Sequence, residues 1–317
     1  GVQSARRAYA QAAVAARPVA TIGVAVNALF DSAANWLSGL PANPIADLLD
    51  RPNPFQSRYT FFETYVSYLL LDGNGYIEKT GPDSGPNAKV PKELYVLRPD
   101  RVKVEYDASG YPLRYVYTHD SGTVEMDAAD VLHKRLFHPE SDFYGMSPLK
   151  AAAYSVDIAN EARGWNMALL QNSGRPSGAV QTEATLTDDQ YETLRTRLND
   201  KHAGAGNAGR IAILEGGLSW QEMGLSPQEM AWEQTIKMTT REICAAFHVP
   251  PELIGDHEHA TYSNYQEARK AFYEETVLPL LDSIRDDLNR WLPPCFGDVI
   301  IDYDRDDIEA LKEDRDA

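Results

Sequence analysis

The chain has 317 residues, 43% of them hydrophobic, so it can bury a sizeable core and form more than one folding unit. Its formal net charge of −17 excludes a conventional DNA-wrapping protein, because the surface of such a protein is basic. No run of about 18 apolar residues predicts a membrane span, and the two cysteines, Cys244 and Cys295, occur in unrelated contexts that favour reduced thiols.

The first part of the chain favours helices. Its alanine-rich start lacks the compact Leu-rich centre of a signal peptide, so none is expected. Apolar residues at helical spacing predict a helix over 18–37, and prolines end a shorter one within 43–54. An aromatic-rich helix over 55–75 ends at a Gly-containing turn. We interpret its aromatic stripe as core: Phe61, Tyr65, Tyr68 and Leu69.

Residues 76–136 change to short segments rich in β-branched and aromatic residues, separated by turn sequences. Because the segments follow one another closely, the pattern predicts an antiparallel meander packed on the first helices. The predicted strands are "GYIEK", "ELYVL", "RVKVEY", "YPLRYVYTH", "GTVEM" and "VLHKRLF".

Two long helices follow, with a small module between them. Ser147 as N-cap and Pro148 at the first helical position predict a helix to about residue 172. A separate amphipathic helix is capped by Thr187 or Asp188, and the segments "RIAILEGG" and "LSWQEM" predict two strands. Ser226 with Glu229 forms a capping box for the second long helix. Two long helices with a module at their far end indicate a projecting stalk.

The prolines at 250 and 251 end that second helix. Ser263, with Gln266 three residues later, predicts the start of a third long helix that runs to about Trp291. Pro279 lies inside this helix, so we expect a kink there.

The sequence contains two stretches that resemble cofactor or metal motifs, but neither has the flanking elements or residues that the motif requires. "GAGNAG" at 204–209 follows a helix and precedes a strand, the reverse of a dinucleotide site. "DYDRDDIEALKED" lacks the Gly and Glu of a calcium loop. The absence of a P-loop argues against an ATPase motor, so we expect no cofactor and no enzyme activity. One alternative stays open, a metal-dependent hydrolase that would use His248, His257 and His259.

The order of these segments resembles the portal proteins of tailed double-stranded-DNA phages, in the branch that includes portal proteins of phage-like gene transfer agents. The resemblance covers nearly the whole chain, and the family continues past the acidic end of this sequence into further helices. The matching segments are "RPNPFQSRYTFFETYVSYLLLDGNGYIE", "LYVLRPDRVKVEY", "ADVLHKRLF", "YGMSPLKAA", "NSGRPSGAV", "AILEGGLSWQEMGLSPQEM", "REICAAFHVPPELIG" and "SNYQEARKAFYEETVLPLLDSIRDDLNRWL".

The resemblance implies a structural, non-enzymatic role in the virion, after assembly in the host bacterial cytoplasm. Portals form homo-oligomeric rings, typically of about twelve subunits, at one capsid vertex within the major capsid protein shell. Double-stranded DNA passes through the central channel during packaging and ejection. The large terminase docks on the outer end and is later replaced by a head-tail adaptor. No membrane is involved.

The resemblance also implies an α+β portal fold, with an α/β wing, a two-helix stem, a small α/β clip and a long kinked wing helix. The expected segments are the N-terminal wing at 1–146, stem helix 1 at 147–173, the clip at 174–225, stem helix 2 at 226–249, the tunnel loop at 250–263, the long wing helix at 264–292, and the wing end with the start of a short or truncated crown at 293–317.

Three groups of residues carry the expected functional contacts. An acidic channel wall lets DNA slide, while a few basic positions centre it. On stem helix 2 these are Lys237 and Arg241, four residues apart on one face; the alternative is that they pair with Glu233, Glu242 or a neighbouring subunit. The tunnel-loop candidates are Asp256, His257, Glu258, His259, Thr261, Tyr262 and Asn264. In the clip, Tyr191, Leu194 and Leu198 are expected to pack inside, leaving Arg195, Arg197 and Lys201 for docking or subunit contacts.

Overall fold

The protein combines helices with antiparallel sheets that occupy separate stretches of the chain, as seen in a computed structural model. This arrangement is the α+β class expected from the sequence. The chain divides into two units, one made of residues 1–153 and 241–317 and the other of residues 154–240. The described residues are 18–23, 44–82, 90–171, 178–181, 186–202, 219–222, 232–256, 262–297, 299–303, 305, 308, 310 and 311.

Two helices open the first unit, after a helical segment at 18–23. Helix α1 spans Pro44–Asp50 and α2 spans Arg58–Asp72. The hydroxyl of Ser57 accepts a hydrogen bond from the Thr60 amide and so caps α2. Gly73 ends α2 in the left-handed conformation (φ 93°), which a side chain would strain. The predicted stripe is core: Phe61, Tyr65 and Leu69 are buried and Tyr68 is half-buried.

The first sheet has the strand order β2-β1-β6 and is entirely antiparallel. Its strands are β1 (Asn74–Thr80), β2 (Glu93–Leu97) and β6 (Val131–Arg135). The first half of strand β1 is buried on both faces, because a Cβ at Gly75 would meet the Tyr65 ring of α2 while Tyr76 joins the core on the other side.

The second sheet is a meander of β3 (Val102–Tyr106), β4 (Pro112–His119) and β5 (Gly122–Asp127). All six predicted strands exist, but the prediction of a single meander is wrong. A 3-10 turn at Ala128–Asp130 redirects the chain, and β6 pairs with β1 instead of β5. The reason is burial, since Val131, Leu132 and Lys134 of β6 are all buried and need cover on both faces. The core of the two sheets contains Tyr76, Leu97, Val104, Tyr115, Met126 and Val131.

The predicted first long helix consists of α3 (Pro148–Ala151) and α4 (Ala153–Gln171), separated by a turn at Ala152. Ser147 is the N-cap, as expected, because its hydroxyl accepts a hydrogen bond from the Leu149 amide. The same hydroxyl donates to the carbonyl of Leu70 at the end of α2.

The second unit contains α5 (Asp188–His202) and a two-stranded antiparallel ribbon of β7 (Gly178–Gln181) and β8 (Ser219–Glu222). Thr187 is the cap of α5. Its hydroxyl accepts a hydrogen bond from the backbone amide of Gln190, and the side-chain oxygen of Gln190 accepts one from the backbone amide of Thr187. Strand β8 is the predicted "LSWQEM" segment. The segments "RIAILEGG" and "GAGNAG", and the capping box at 226–229, lie outside the described residues.

Helix α6 (Trp232–Ala246) leads back into the first unit, where α7 (Tyr262–Phe272) and α8 (Leu278–Trp291) form the third long helix. The expected irregularity at Pro279 is a π-helical turn at Tyr273–Val277 immediately before it. Pro279 has no amide hydrogen and its ring opposes the carbonyl four residues earlier, so the α-helical bond pattern is interrupted there.

The predicted start of that helix needs a correction. It already includes Tyr262, so Ser263 lies within the first turn and is not the N-cap.

Neither cysteine forms a disulfide, in agreement with the sequence. Within the described part of the chain, no helix has the length and apolar character needed to cross a membrane.

Candidate functional site

Helix α6 ends in a Schellman motif that places the chain for a sharp change of direction. The Val249 amide donates to the Cys244 carbonyl and the His248 amide donates to the Ala245 carbonyl, at 2.9 and 3.1 Å. His248 occupies the left-handed position (φ 53°) that glycine normally takes. The hydroxyl of Thr276, in the π-helical turn, donates to the His248 carbonyl at 2.6 Å. This helix end is therefore fixed on the third long helix.

A second short turn follows at once. Pro251–Ile254 forms a 3-10 turn that ends at Gly255, whose φ of 102° again requires the left-handed region. The amide of Asp256 donates to the Pro251 carbonyl at 3.1 Å. Two consecutive left-handed endings, at His248 and Gly255, thus set the position of the Asp256 backbone.

The Asp256 carboxylate lies against Arg241 of α6. Its Oδ2 atom accepts a hydrogen bond from Arg241 Nε at 2.7 Å, a charge-assisted contact. The Asp256 side chain is 15% exposed and that of Arg241 is 44% exposed. The pair therefore lies at the surface of the first unit, with its carboxylate on the inner side.

The two basic candidates on α6 differ in their surroundings. Arg241 is exposed and paired with Asp256, whereas Lys237 is half-buried and also has a partner. The alternative partners proposed from the sequence were Glu233, Glu242 or a neighbouring subunit. In the structure, Arg241 forms an ion pair with Asp256. Sequence reasoning missed this pair because its members are fifteen positions apart on different elements. The Pro-Pro-initiated turn ending at Gly255 was the available signal.

Cys244 lies in the interior beside this pair. Burial, with further contributions from the Asp256 and Glu252 carboxylates, raises the pKa of the Cys244 thiol to about 11. The thiol therefore stays protonated and unreactive at neutral pH.

Most of the remaining tunnel-loop candidates fall outside the described residues: His257, Glu258, His259 and Thr261. Tyr262 begins α7, and Asn264 is exposed in its first turn. His248 is an exposed residue at the end of α6. In the described part of the chain, no group of three or more His, Cys, Asp or Glu residues is arranged to hold a metal ion.

The clip candidates lie on α5. Arg195 is 61% exposed and contacts Glu192 at 3.3 Å, while the side chains of Arg197 and Lys201 lie outside the described residues. The expectation that Tyr191 packs inside is wrong for the single chain, because its side chain is 57% exposed. Leu194, half-buried on the same helix, is better covered.

Comparison with known proteins gives consistent matches over most of the chain. The family model described as phage portal protein matches residues 28–317. An uncharacterized protein of Rickettsia bellii is 40% identical over 283 residues, covering 86% of this chain and 72% of that protein. The portal protein of Enterobacteria phage HK97 is 26% identical over 261 residues, covering 80% of this chain and 59% of that protein.

Solved structures give the same result. A chain from the virion of a native gene transfer agent particle is 42% identical, with a TM-score of 0.66 over 93% of this chain and 82% of that one. A chain from the neck of such a particle, computed with C12 symmetry, is 41% identical with a TM-score of 0.65 over the same shares. An HK97-family portal protein from Corynebacterium diphtheriae shares the fold at 14% identity, with a TM-score of 0.62 over 90% of each chain.

Proposed function

Because this chain belongs to the phage portal protein family, we propose that it forms a ring at one capsid vertex and that double-stranded DNA passes through the channel of that ring during packaging and ejection. The observation that carries the proposal is the 41% identity, over 93% of this chain, to a chain from the neck of a gene transfer agent particle computed with C12 symmetry. Portal proteins are structural components of virions and capsids rather than enzymes.

The two units of the chain suggest an assignment of parts. The first unit, with its two sheets and the third long helix, corresponds to the wing. Helices α4 and α6 correspond to the stem helices, and α5 with the β7-β8 ribbon of the second unit corresponds to the clip. The tunnel loop then joins α6 to the kinked wing helix α7-α8. The order of elements along the chain supports this assignment.

The ring itself can be tested by electron microscopy and native mass measurement of the purified chain. We expect a ring of about twelve subunits with a central hole, in line with the C12 neck. A compact monomer or dimer with stoichiometric bound zinc or manganese would contradict the proposal and support the hydrolase alternative.

The clip is the proposed docking surface for the large terminase and then for the head-tail adaptor, while the wing meets the major capsid protein. Arg195 is exposed on α5, and Arg197 and Lys201 follow on the same helix. Reversing these three charges to Glu should weaken terminase or adaptor binding in a pull-down assay while rings still form.

A matched control uses the ion pair of Arg195. Exchanging the partners, Glu192→Arg with Arg195→Glu, keeps the local charge and should leave docking close to wild type if only net charge matters. Failure of the triple variant to form rings would show instead that these cations belong to the subunit interface.

The stem is the proposed channel wall. An acidic wall holds phosphates weakly, and each well-placed cation adds attraction, so only a few basic positions are compatible with sliding. Lys237 is one such position. A Lys237→Glu ring should assemble but package DNA more slowly and hold it less well, as measured in a packaging assay with DNase protection. Unchanged packaging and retention in intact rings would remove Lys237 from the channel contacts.

A further inference from the structure

We propose that Asp256 covers the guanidinium of Arg241 and so prevents a ring of Arg241 side chains from holding DNA phosphates. The inference rests on the proposed DNA channel and gives the tunnel-loop candidate Asp256 a specific role. Asp256 acts here as a positioning residue, because it controls what Arg241 can bind. The ligand that Arg241 would otherwise bind is a phosphate of the duplex backbone.

The geometry of the pair supports this role. Arg241 Nε donates to Asp256 Oδ2 at 2.7 Å, which directs part of the guanidinium toward the carboxylate. With 44% of its side chain exposed, Arg241 remains accessible to an approaching phosphate, whereas Asp256, at 15%, does not meet solvent as freely. A phosphate must therefore compete with a carboxylate that is already in place.

The carboxylate is held by the fold of the preceding turn. The amide of Asp256 is bonded to the Pro251 carbonyl, and Gly255 provides the left-handed residue that lets the chain turn back toward α6. On the other side, the Schellman motif at Val249 fixes the end of the helix that carries Arg241. The backbone around both partners of the pair is thus held by hydrogen bonds, which favours the contact between them.

Repetition around a ring makes a small effect per subunit large. A partly exposed ion pair changes an equilibrium by roughly two- to five-fold. Several subunits face the duplex at the same height, so these factors multiply for a DNA molecule in the channel. Each Arg241 that gains a phosphate contact when Asp256 no longer competes for it should also steepen the dependence of log K on log salt by about 0.9.

The test compares rings made of wild-type, Asp256→Asn, Arg241→Gln and Asp256→Asn/Arg241→Gln chains. Duplex affinity is measured by fluorescence anisotropy over a range of low salt concentrations. We expect Asp256→Asn to bind at least about ten-fold more tightly with a steeper salt slope, and the double variant to return to the Arg241→Gln value. Equal affinity and slope for wild-type and Asp256→Asn rings would overturn the inference.

A matched control separates the cover from the loss of one negative charge. Asp302→Asn removes the same charge from an exposed carboxylate of the first unit, 3.2 Å from Arg285, which keeps its pairs with Asp282 and Asp286. This variant should bind DNA like wild type. If it tightens binding as much as Asp256→Asn does, the effect is general electrostatics and the inference is wrong.

Two further variants keep the inference testable if Asp256→Asn chains fail to assemble into rings. The exchange Arg241→Asp/Asp256→Arg keeps an ion pair and should bind DNA like wild type, whereas Arg241→Gln/Asp256→Arg carries an uncovered cation and should bind tightly. If the exchanged pair binds as tightly as the uncovered cation, covering has no effect and the inference fails.

The proposed function is tested separately with a photocrosslinker at the exposed Met238 on α6, in particles that are packaging DNA. Crosslinking to DNA combined with unchanged affinity of Asp256→Asn would overturn only the cover. Absence of crosslinking would overturn the placement of α6 along the channel, whatever the affinities.

Discussion

The imidazole of His133 is held neutral by its neighbours. It stacks on Tyr76 with ring centroids 4.3 Å apart, and its Nε2 atom lies 3.2 Å from Asn74 Oδ1. That oxygen also accepts the Gly145 amide, so it is an acceptor and His133 Nε2 carries the proton. Burial and the positive charge of Arg135 lower the pKa of His133 to about 3.

This lowered pKa predicts acid sensitivity of the fold. The pKa of His133 is about 3 in the folded chain and 6.5 as its ordinary value, so between these values only the unfolded chain binds the proton. The free energy of unfolding should therefore fall with decreasing pH below about 6.5, by at most about 1.4 kcal/mol per pH unit. Urea unfolding at pH 7 and pH 5.5 should show a smaller loss for His133→Phe than for wild type.

The exposed His119 provides the control for this measurement, because His119→Phe removes a histidine from the neighbouring sheet. That variant should lose stability between the two pH values as wild type does. An equal loss for wild type and His133→Phe would contradict a neutral buried His133.

Replacing Gly145 or Gly164 with alanine should change the free energy of unfolding in opposite directions. Neither glycine has a positive φ, so the difference comes from the space around each one. At Gly145 a Cβ would overlap the Gly73 carbonyl and lie 2.7 Å from the Leu136 amide nitrogen. Gly164, within α4, has no described neighbour within 4 Å of a Cβ. Gly145→Ala should lower the free energy of unfolding by about 1–3 kcal/mol, and Gly164→Ala should raise it by about 0.5–1 kcal/mol.

Denaturant midpoints of the full chain check both changes. A destabilising Gly164→Ala would show that this face of α4 is in contact with another part of the molecule. A neutral Gly145→Ala would show that the segment carrying Gly145 can move away from Gly73.

Strand β6 and helix α8 are joined by a buried ammonium group. Lys134 is 6% exposed, and its Nζ donates to the carbonyl and hydroxyl of Ser283 and to Asp287 Oδ2, at 3.1, 2.6 and 2.6 Å. All three acceptors lie on one helix turn. The contact therefore fixes the third long helix on the first sheet.

Removing one partner of this contact should cost more than removing both. Asp287→Ala leaves a buried ammonium without its counter-charge and should destabilise the chain by about 3 kcal/mol. Lys134→Met with Asp287→Leu replaces both charges with apolar groups and should lie within about 1 kcal/mol of wild type. Urea midpoints of the single and double variants measure this difference; additive losses would show that the two residues do not interact.

The charge of the whole chain makes its own prediction. With −17 per subunit, a wild-type ring should bind duplex DNA weakly, with a dissociation constant above about 10 μM at ~0.15 M salt. Such weak binding is compatible with DNA sliding through a channel. Anisotropy titration of a short duplex tests it, and sub-micromolar binding at that salt concentration would contradict a low-friction wall.

At the scale of elements, sequence patterns predicted a large part of the fold. The six strands, the caps at Ser147 and Thr187, and the core stripe on α2 follow from alternation, helical spacing and capping chemistry, which are local. The pairing of β6 with β1 was not predictable in this way. It depends on burial of both faces of β6, and a strand pattern does not reveal which neighbour provides that cover.

The sequence by itself determined the family of this protein, its α+β class, its acidic charge and the helix cap at Ser147. These properties are set by composition, by residues within a few positions of one another and by the order of segments along the chain. The tertiary structure decided that Arg241 pairs with Asp256, that Lys134 reaches Ser283 and Asp287, and that Tyr191 stays exposed in the single chain. These contacts depend on how distant segments pack, because a charged side chain takes whichever opposite partner the fold brings within hydrogen-bond distance.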